Sequence, residues 1–275
     1  MSIAPPADST ASVAGRTPGQ ELLRALTGYP SATVELPVSL PATFPFFATR
    51  PRYTVRHLLT AAPAATDPVA YVAEPPAPGT PAKSGTSYAV SPEATFEPRL
   101  DQARLTSVRA VVPIPPGLTD HPDLFTAYVD RRVVVRLCTV ENEVLLHGTE
   151  DGAIPGLLPA CVRRVPGRGD GDLAWAAALV EETGGSCDGA VVHPDLYWAL
   201  VADGRLARLT EAGVRVSRTR MIARGLALLG DFRAVATLLD PARSRLTLRD
   251  HTIEASEHIG LAIHLPQHLV LVEAP

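Results

Sequence analysis

The chain has 275 residues, 46% hydrophobic and 20% charged, so it can bury a sizeable core as one elaborated domain or two. A formal net charge of −4 argues against a surface built mainly to hold nucleic acid or anionic lipid. Three cysteines, Cys138, Cys161 and Cys187, are odd in number and form no CxxC pair, which argues against a disulfide framework or zinc ribbon and fits a reducing cytoplasm.

No apolar run approaches the roughly 18 residues of a membrane span, and MSIAPPADSTASVAG has no basic region ahead of an apolar core. A soluble, non-secreted chain is expected. Lys83 is the only lysine. Codon use in a GC-rich genome accounts for that bias, and arginine also suits fork-like ion pairs at interfaces.

In chain order, residues 1–20 are rich in Ala, Pro, Ser and Thr with nothing to bury, and read as a tail. Residues 21–26 suit one or two helical turns. Residues 29–52 are extended and broken by Pro30, Pro37, Pro41, Pro45 and Pro51, with Phe44, Phe46 and Phe47 clustered. Such an arm lies across its own domain or across a neighbouring subunit, and the sequence leaves both open. A short helix is expected at 52–59. Residues 68–74 then place Val69, Tyr71 and Ala73 on one side, the period of a half-buried strand. After PPAPGTPAKSGTSYAVSP, residues 94–114 read as the returning strand of a long hairpin, its tip too polar and proline-rich to pack on its own domain.

Residues 120–147 predict one long helix. Asp120 is suited to cap it, Pro122 to its first turn and Gly148 to its stop. Phe125, Val129, Val133, Leu137, Val140 and Val144 form an apolar stripe opposite Arg131, Arg132, Arg136 and Glu143. From His121 to His147 such a helix runs roughly 40 Å. Beyond it, 157–164 reads as a strand, and 172–182 as a helix with Leu173, Ala176, Ala177 and Val180 inward. Residues 190–192 read as a short buried strand and 194–201 as a helix begun by Pro194. A turn follows at Ala202, Asp203, Gly204 and Arg205. Further strands are expected at 213–218, 226–231, 235–239, 245–249, 258–264 and 269–273. The class is α+β with antiparallel character and no βαβ repeat.

Two constellations invite a chemical reading. His251, His258, His264 and His268 match no zinc spacing, so no metal site is expected, and no cofactor motif is present. Ser186, His193 and Asp195 are the residue types of a hydrolytic triad, but there is no GxSxG elbow. An enzyme of unknown chemistry is the third-ranked reading.

The order of arm, long hairpin, long helix, glycine turn and compact α/β region resembles the HK97-type capsid fold, shared by tailed-phage major capsid proteins and by encapsulins. RPRYTVRHLLTAAPAATDPVAYVAE resembles the approach to that family's E-loop, and PEATFEPRLDQARLTSVRAVVPIP its return. VENEVLLHGTEDGAIPGLL resembles the end of its spine helix, where an acidic-apolar run meets a glycine turn and a strand start. VVHPDLYWALV resembles a helix start in its peripheral domain, with His193 replacing a small polar residue. LGDFRAVATLLD and LPQHLVLVEAP extend the likeness to the end.

That resemblance implies an N-terminal arm at 1–49, a connection at 50–66 and an E-loop at 67–104. It implies a P-domain at 105–151 and 241–264, including the spine helix, and an A-domain at 152–240 and 265–275. Tyr71, Lys83 and Tyr88 would then meet a neighbouring subunit. Ala202, Asp203, Gly204 and Arg205 would line a five-fold pore, with an ordinary polar turn as the alternative. Phe44, Phe46 and Phe47 would face the lumen as a cargo surface or simply pack the arm.

The implied partner is the chain itself, in an icosahedral homo-oligomer of about 60 copies, with a cargo protein inside and no membrane. Residues 1–49 show no heptads, and Arg16 and Arg24 are balanced there by Asp8, Glu21 and Glu35. These features and the LVLVEAP ending favour a cytoplasmic encapsulin nanocompartment. A phage or prophage major capsid protein enclosing DNA is the alternative. Some phage shells crosslink an E-loop lysine to a P-domain asparagine; the only asparagine here, Asn142, falls within the long helix, so no such bond is expected.

Overall fold

The structure, a computed structural model, describes residues 16–26, 31–42, 54–75, 98–167 and 172–273. Its strands are, in chain order, β1 Ala32–Leu36, β2 Thr60–Ala62, β3 Val69–Ala73, β4 Arg99–Ala103, β5 Thr106–Pro113, β6 Arg163–Pro166 and β7 Gly189–Val192. They continue with β8 Arg215–Arg218, β9 Leu226–Gly230, β10 Ala236–Leu239, β11 Ser244–Arg249, β12 Thr252–Ile263 and β13 Leu269–Glu273.

From Pro122 to His147 the chain is helical throughout, but not uniformly so. α-Helical Pro122–Tyr128 and Val134–His147 flank a π turn at Val129–Val133, where the Val134 N–H donates to the Val129 carbonyl. Pro122 stands in the first turn as expected. Asp120 does not cap: it belongs to a 3-10 turn, Leu118–Asp120, and His121 holds the cap position. Gly148 ends the helix at φ +84°, its N–H donating to the Val144 carbonyl at 2.8 Å.

The π turn also changes which side chains are buried. Phe125, Val129, Val133, Leu137, Glu141 and Leu145 are all buried, spaced four apart. Four residues overshoot one α-helical turn by about 40°, so such a row would wind around a regular helix. A stripe read from sequence must therefore step back by three, which is why Val140 and Val144 were expected inside. One wider π turn absorbs part of the drift, and a broad buried face, on which Val134, Cys138, Asn142 and Leu146 are buried as well, takes up the rest. Val140 and Val144 are left half-buried, while Arg131, Arg132, Arg136 and Glu143 are exposed as expected.

The chain forms two compact units. The first comprises Met1–Arg52, Ser107–Glu141 and Asp240–Ile259; the second comprises Tyr53–Thr106, Asn142–Leu239 and Gly260–Pro275. The division falls within the long helix and within β12.

In the first unit a helix, Pro18–Ala25, begins earlier than the turn expected at 21–26 and takes in residues assigned to the tail. Its start is a capping box: Thr17 Oγ1 accepts the Gln20 N–H, and Gln20 Oε1 accepts the Thr17 N–H. The Gly19 N–H donates to the Asp130 carboxylate at 2.7 Å, and a Cβ on Gly19 would lie 2.6 Å from the Thr126 carbonyl oxygen. Only glycine allows so close an approach. β1, β11 and the first half of β12 pair antiparallel. Asp250 and His251, at φ +48° and +57°, make the two-residue turn between β11 and β12. β12 therefore starts six residues before the expected 258. The segment after β1 is pinned by polar contacts: Ser39 donates to the buried Glu257 at 3.0 Å, and the Leu40 N–H to Ser244 Oγ at 3.0 Å.

In the second unit β3 and β4 form the expected hairpin, and β10 pairs with β2 and with the second half of β12. A separate five-stranded sheet runs β6-β13-β9-β7-β8. β7 and β8 are parallel and joined through helices Pro194–Ala202 and Arg205–Glu211, so one parallel crossover exists where no βαβ repeat was expected. Along one face of this sheet Val165, Val270, Val272, Ala227, Leu229, Ala190, Val192 and Val216 share a core with both helices and with helix Asp172–Glu181. Leu173, Ala176 and Val180 point into that core as expected, joined by Leu179.

The strand expected at 157–164 is a correction. Leu157–Ala160 is a helical turn with Leu157 and Leu158 buried, and the strand begins only at Arg163. Pro159 has no N–H for a sheet ladder, which disfavours the extended alternative. Gly156, at φ +73°, folds this turn back onto the helix end: a Cβ there would lie 2.4 Å from the Gly148 nitrogen.

Gly156→Ala is expected to lower the unfolding midpoint well beyond Gly152→Ala. Both have positive φ, but a Cβ on Gly152 meets nothing within 4 Å, so only the roughly 1–2 kcal/mol conformational cost applies there. Val133→Asp is expected to prevent folding, whereas Val140→Asp leaves a folded, weakened chain; denaturant titration of soluble protein separates them.

Candidate assembly surfaces

The β3–β4 ribbon has two unlike faces because strand side chains alternate. Val69 and Tyr71 face inward, packing with Ala103, Leu105, Leu239 and Ala262. On the opposite face Val72 and Leu100 stand directly across from each other and are 50% and 77% exposed. An apolar cross-strand pair facing solvent on a two-stranded ribbon is an unusual expense of surface, since a lone ribbon is marginal in water.

The ribbon is fixed by His264 at the Val72–Glu74 end of β3. Its Nδ1–H donates to the Val72 carbonyl at 2.8 Å, which leaves Nε2 to accept from the Thr237 hydroxyl at 3.0 Å. Its own carbonyl accepts the Glu74 N–H at 2.7 Å, and its ring meets that of Tyr71 edge-on at 5.3 Å. Tyr71, expected at a subunit contact, is thus held by its own chain, and burial pushes its hydroxyl pKa up. Lys83, Tyr88, Phe44, Phe46 and Phe47 lie outside the described residues. Val72 and Leu100 were missed by sequence reading, although the alternation that placed Tyr71 inward also placed Val72 outward.

The segment Ala202, Asp203, Gly204 and Arg205 is a tight link between two helices. Ala202 ends one, Asp203 and Gly204 turn, and Arg205 opens the next, a helix not anticipated from sequence although Leu206 and Leu209 sit three apart. Gly204 takes φ +74° with open space beside it. The Asp203 carboxylate accepts the Arg205 N–H at 3.0 Å and pairs with its guanidinium at 2.6 Å, which holds the carboxyl below its ordinary pKa. The turn therefore presents a self-neutralised charge pair to solvent.

The hydrolytic constellation is not assembled. His193 caps helix Pro194–Ala202, its Nδ1 accepting the Asp195 N–H at 3.2 Å, so it does the work of the small polar residue it replaces. Ser186 precedes β7 and His193 follows it; a four-residue strand alone spans roughly 13 Å. The Ser186 N–H is bound instead to the Asp231 carboxylate at 2.9 Å. The histidines are likewise dispersed: His264 holds the ribbon, His268 Nε2–H donates to the Thr183 carbonyl at 3.1 Å, His251 sits in the β11–β12 turn and His258 is exposed on β12. Asn142 is buried, its Oδ1 accepting the Val55 N–H at 2.9 Å and tying the 3-10 turn Val55–Leu58 to the long helix. That turn falls where a short helix was expected.

No family model matches the sequence, and no curated protein is similar to it. Solved structures do match. The capsid of a native GTA particle is 15% identical with a TM-score of 0.55, over 82% of this chain and 98% of that one. A virus-like particle from Pyrococcus furiosus is 13% identical with a TM-score of 0.56, over 86% and 97%. A chain of Mycobacterium phage Bobi is 14% identical with a TM-score of 0.57, over 83% and 92%. At such identities the likeness is one of fold. The chain has the HK97-type capsid fold, an α+β architecture, as the order of its elements implied.

The three cysteines are buried and none is in a disulfide. Burial pushes the Cys187 thiol pKa up from 9.0 to about 11. The native chain is expected to resist Ellman's reagent near neutral pH and to react once unfolded. Because the raised pKa belongs to the folded state, the thiol's contribution is intact below about pH 9 and is lost as pH rises through about 11. A falling melting midpoint over that window, made shallower in Cys187→Ala, checks this, the remaining slope belonging to the buried Cys161 thiol and Tyr71 hydroxyl, both also raised.

Proposed function

We propose that this chain is a self-assembling shell protein, the tile of an icosahedral, encapsulin-type compartment that encloses a cargo protein in the cytoplasm. The observation that carries the reading is the outward Val72–Leu100 pair, on a ribbon rooted in a capsid fold. Apolar surface displayed there is useful if a second tile covers it. In this reading residues 67–104 act as the E-loop. The long helix and the 241–264 return form the P-domain, and 152–240 with 265–275 form the A-domain. The turn from Ala202 to Arg205 lines a pore, where the Asp203–Arg205 pair presents little net charge. The chain acts by assembly and confinement rather than by bond-making.

Protein cargo is favoured over a genome by the charge of the N-terminal segment. Arg16 and Arg24, the arginines of the N-terminal helical segment, both lie within ion-pair distance of Glu21, at 3.3 and 4.0 Å, so they offer little to phosphate. The second reading, a phage or prophage capsid enclosing DNA, is supported by the phage chains among the structural neighbours.

Size-exclusion chromatography with electron microscopy of purified protein tests the shell: elution as closed particles of megadalton mass is expected, and a monomer or small oligomer would sink the reading. The absorbance ratio and a gel of the particle contents decide between protein and nucleic acid. Leu100→Asp is expected to remain folded by circular dichroism yet yield no particles. A denaturing gel of assembled protein should show monomer alone, because the only asparagine is buried with its carbonyl oxygen already bonded.

A further inference from the structure

Two helices of the second unit carry no charged side chain over most of their length. Asp172–Glu181 reads LAWAAALV between its ends, and Pro194–Ala202 reads LYWALVA after Asp195. A helix that is apolar all round is normally buried all round. Each buries only one side, against the same face of the five-stranded sheet, where Ala176, Val180 and Leu200 share one core. Their other sides are open: Ala174 and Ala178 on the first, and Trp198, Ala199, Val201 and Ala202 on the second. Trp198 is 53% exposed.

Trp198 is also held in place. Its ring meets Tyr197 edge-on at 5.5 Å, and the Arg218 guanidinium lies 4.4 Å from the Tyr197 ring and 5.0 Å from that of Trp198. Arg224 pairs with Asp195, one turn before Trp198 on the same helix, at 3.1 Å. A pre-arranged group of Trp, Tyr and Arg at solvent has the composition of an interface hot spot rather than of ordinary surface.

We propose that this outer helical surface, centred on Trp198, is a heterologous contact with a second copy of the chain. The proposal rests on the shell reading and names one of its contacts. Charge selects how the copies meet. Arg218 borders Trp198, with Arg224 held beside it by Asp195, whereas Glu181 is exposed at the end of the Ala174–Ala178 helix, next to Glu182, which pairs with Arg163 at 3.4 Å. Two Trp198 surfaces face to face would oppose arginine to arginine. The Trp198 surface of one copy against the Ala174–Ala178 surface of the next opposes arginine to glutamate. Because the two surfaces differ, the contact repeats from copy to copy instead of stopping at a dimer, and in a closed shell it completes a ring.

Trp198→Glu and, separately, Ala178→Glu in the full chain test this by light scattering on a sizing column and by circular dichroism. Each is expected to melt near the parent, since both side chains face solvent, and to lose particles by at least about tenfold. A parent chain that forms no particle removes the shell reading itself. Parent particles with unchanged yield in both variants overturn this contact alone, as do particles of normal size that have lost their enclosed protein, which would give the surface to cargo. Should either variant misfold, Trp175→Phe leaves Trp198 as the sole tryptophan. Its emission is expected to shift to the blue on assembly, and identical spectra for dissociated and assembled chains overturn the contact.

Discussion

The long helix buries a row of side chains at fourth-residue spacing, and no regular α-helix can do that over its length without the row winding away. One π turn, Val129–Val133, takes back part of that winding, and the buried Val134, Cys138, Asn142 and Leu146 widen the covered face to hold the rest. It lets Phe125 and Leu145 belong to one continuous buried row and sends Arg131, Arg132 and Arg136 outward. At the far end the helix is stopped by Gly148, and Gly156 returns the chain to within van der Waals contact of that stop. The two glycines act together, because the close approach at one is set by the left-handed conformation at the other. His147, in the last turn, donates from Nε2 to the Met221 carbonyl at 2.7 Å and so ties the helix end to a loop of the second unit.

The same economy governs the parts that look outward. The ribbon β3–β4 is too small to be stable alone, so its inner face and the Val72–Glu74 end of β3 are committed to its own chain through Tyr71 and His264. That commitment leaves one free face, and it is apolar. The helical layer of the five-stranded sheet repeats the pattern on a larger scale, with side chains that suit an interior on both sides of each helix. In both places the sequence is more apolar than the single folded chain requires. A tile that must be covered by other tiles has this property, and an isolated globular protein avoids it.

Much of the fold was legible. Period-two alternation placed Val69, Tyr71 and Ala73 on one face of β3, and Pro194 and Gly148 marked a helix start and a helix stop, because each of these signals is local. The misreadings have physical causes of the same kind. Leu157 and Leu158 suited a buried strand or a buried helical turn equally, and the missing N–H of Pro159 decided it. The Asp250–His251 turn lacks the glycine that usually announces a hairpin, so β12 looked shorter than it is.

Of the candidate sites, the sequence could place the turn at 202–205 and the two ends of the ribbon, but not which ribbon residue is held and which is free. Alternation puts Tyr71 and Val72 on opposite faces, but which face is covered depends on Leu239, Ala262 and His264, the last of them 192 residues after Val72 in the chain. The sequence by itself determined the class, the order of elements and the excess of apolar side chains on the helices, since these follow from composition and short-range period. Tertiary structure alone decided which of those side chains remain uncovered. Exposure depends on contacts between residues far apart in sequence, and no local pattern records them.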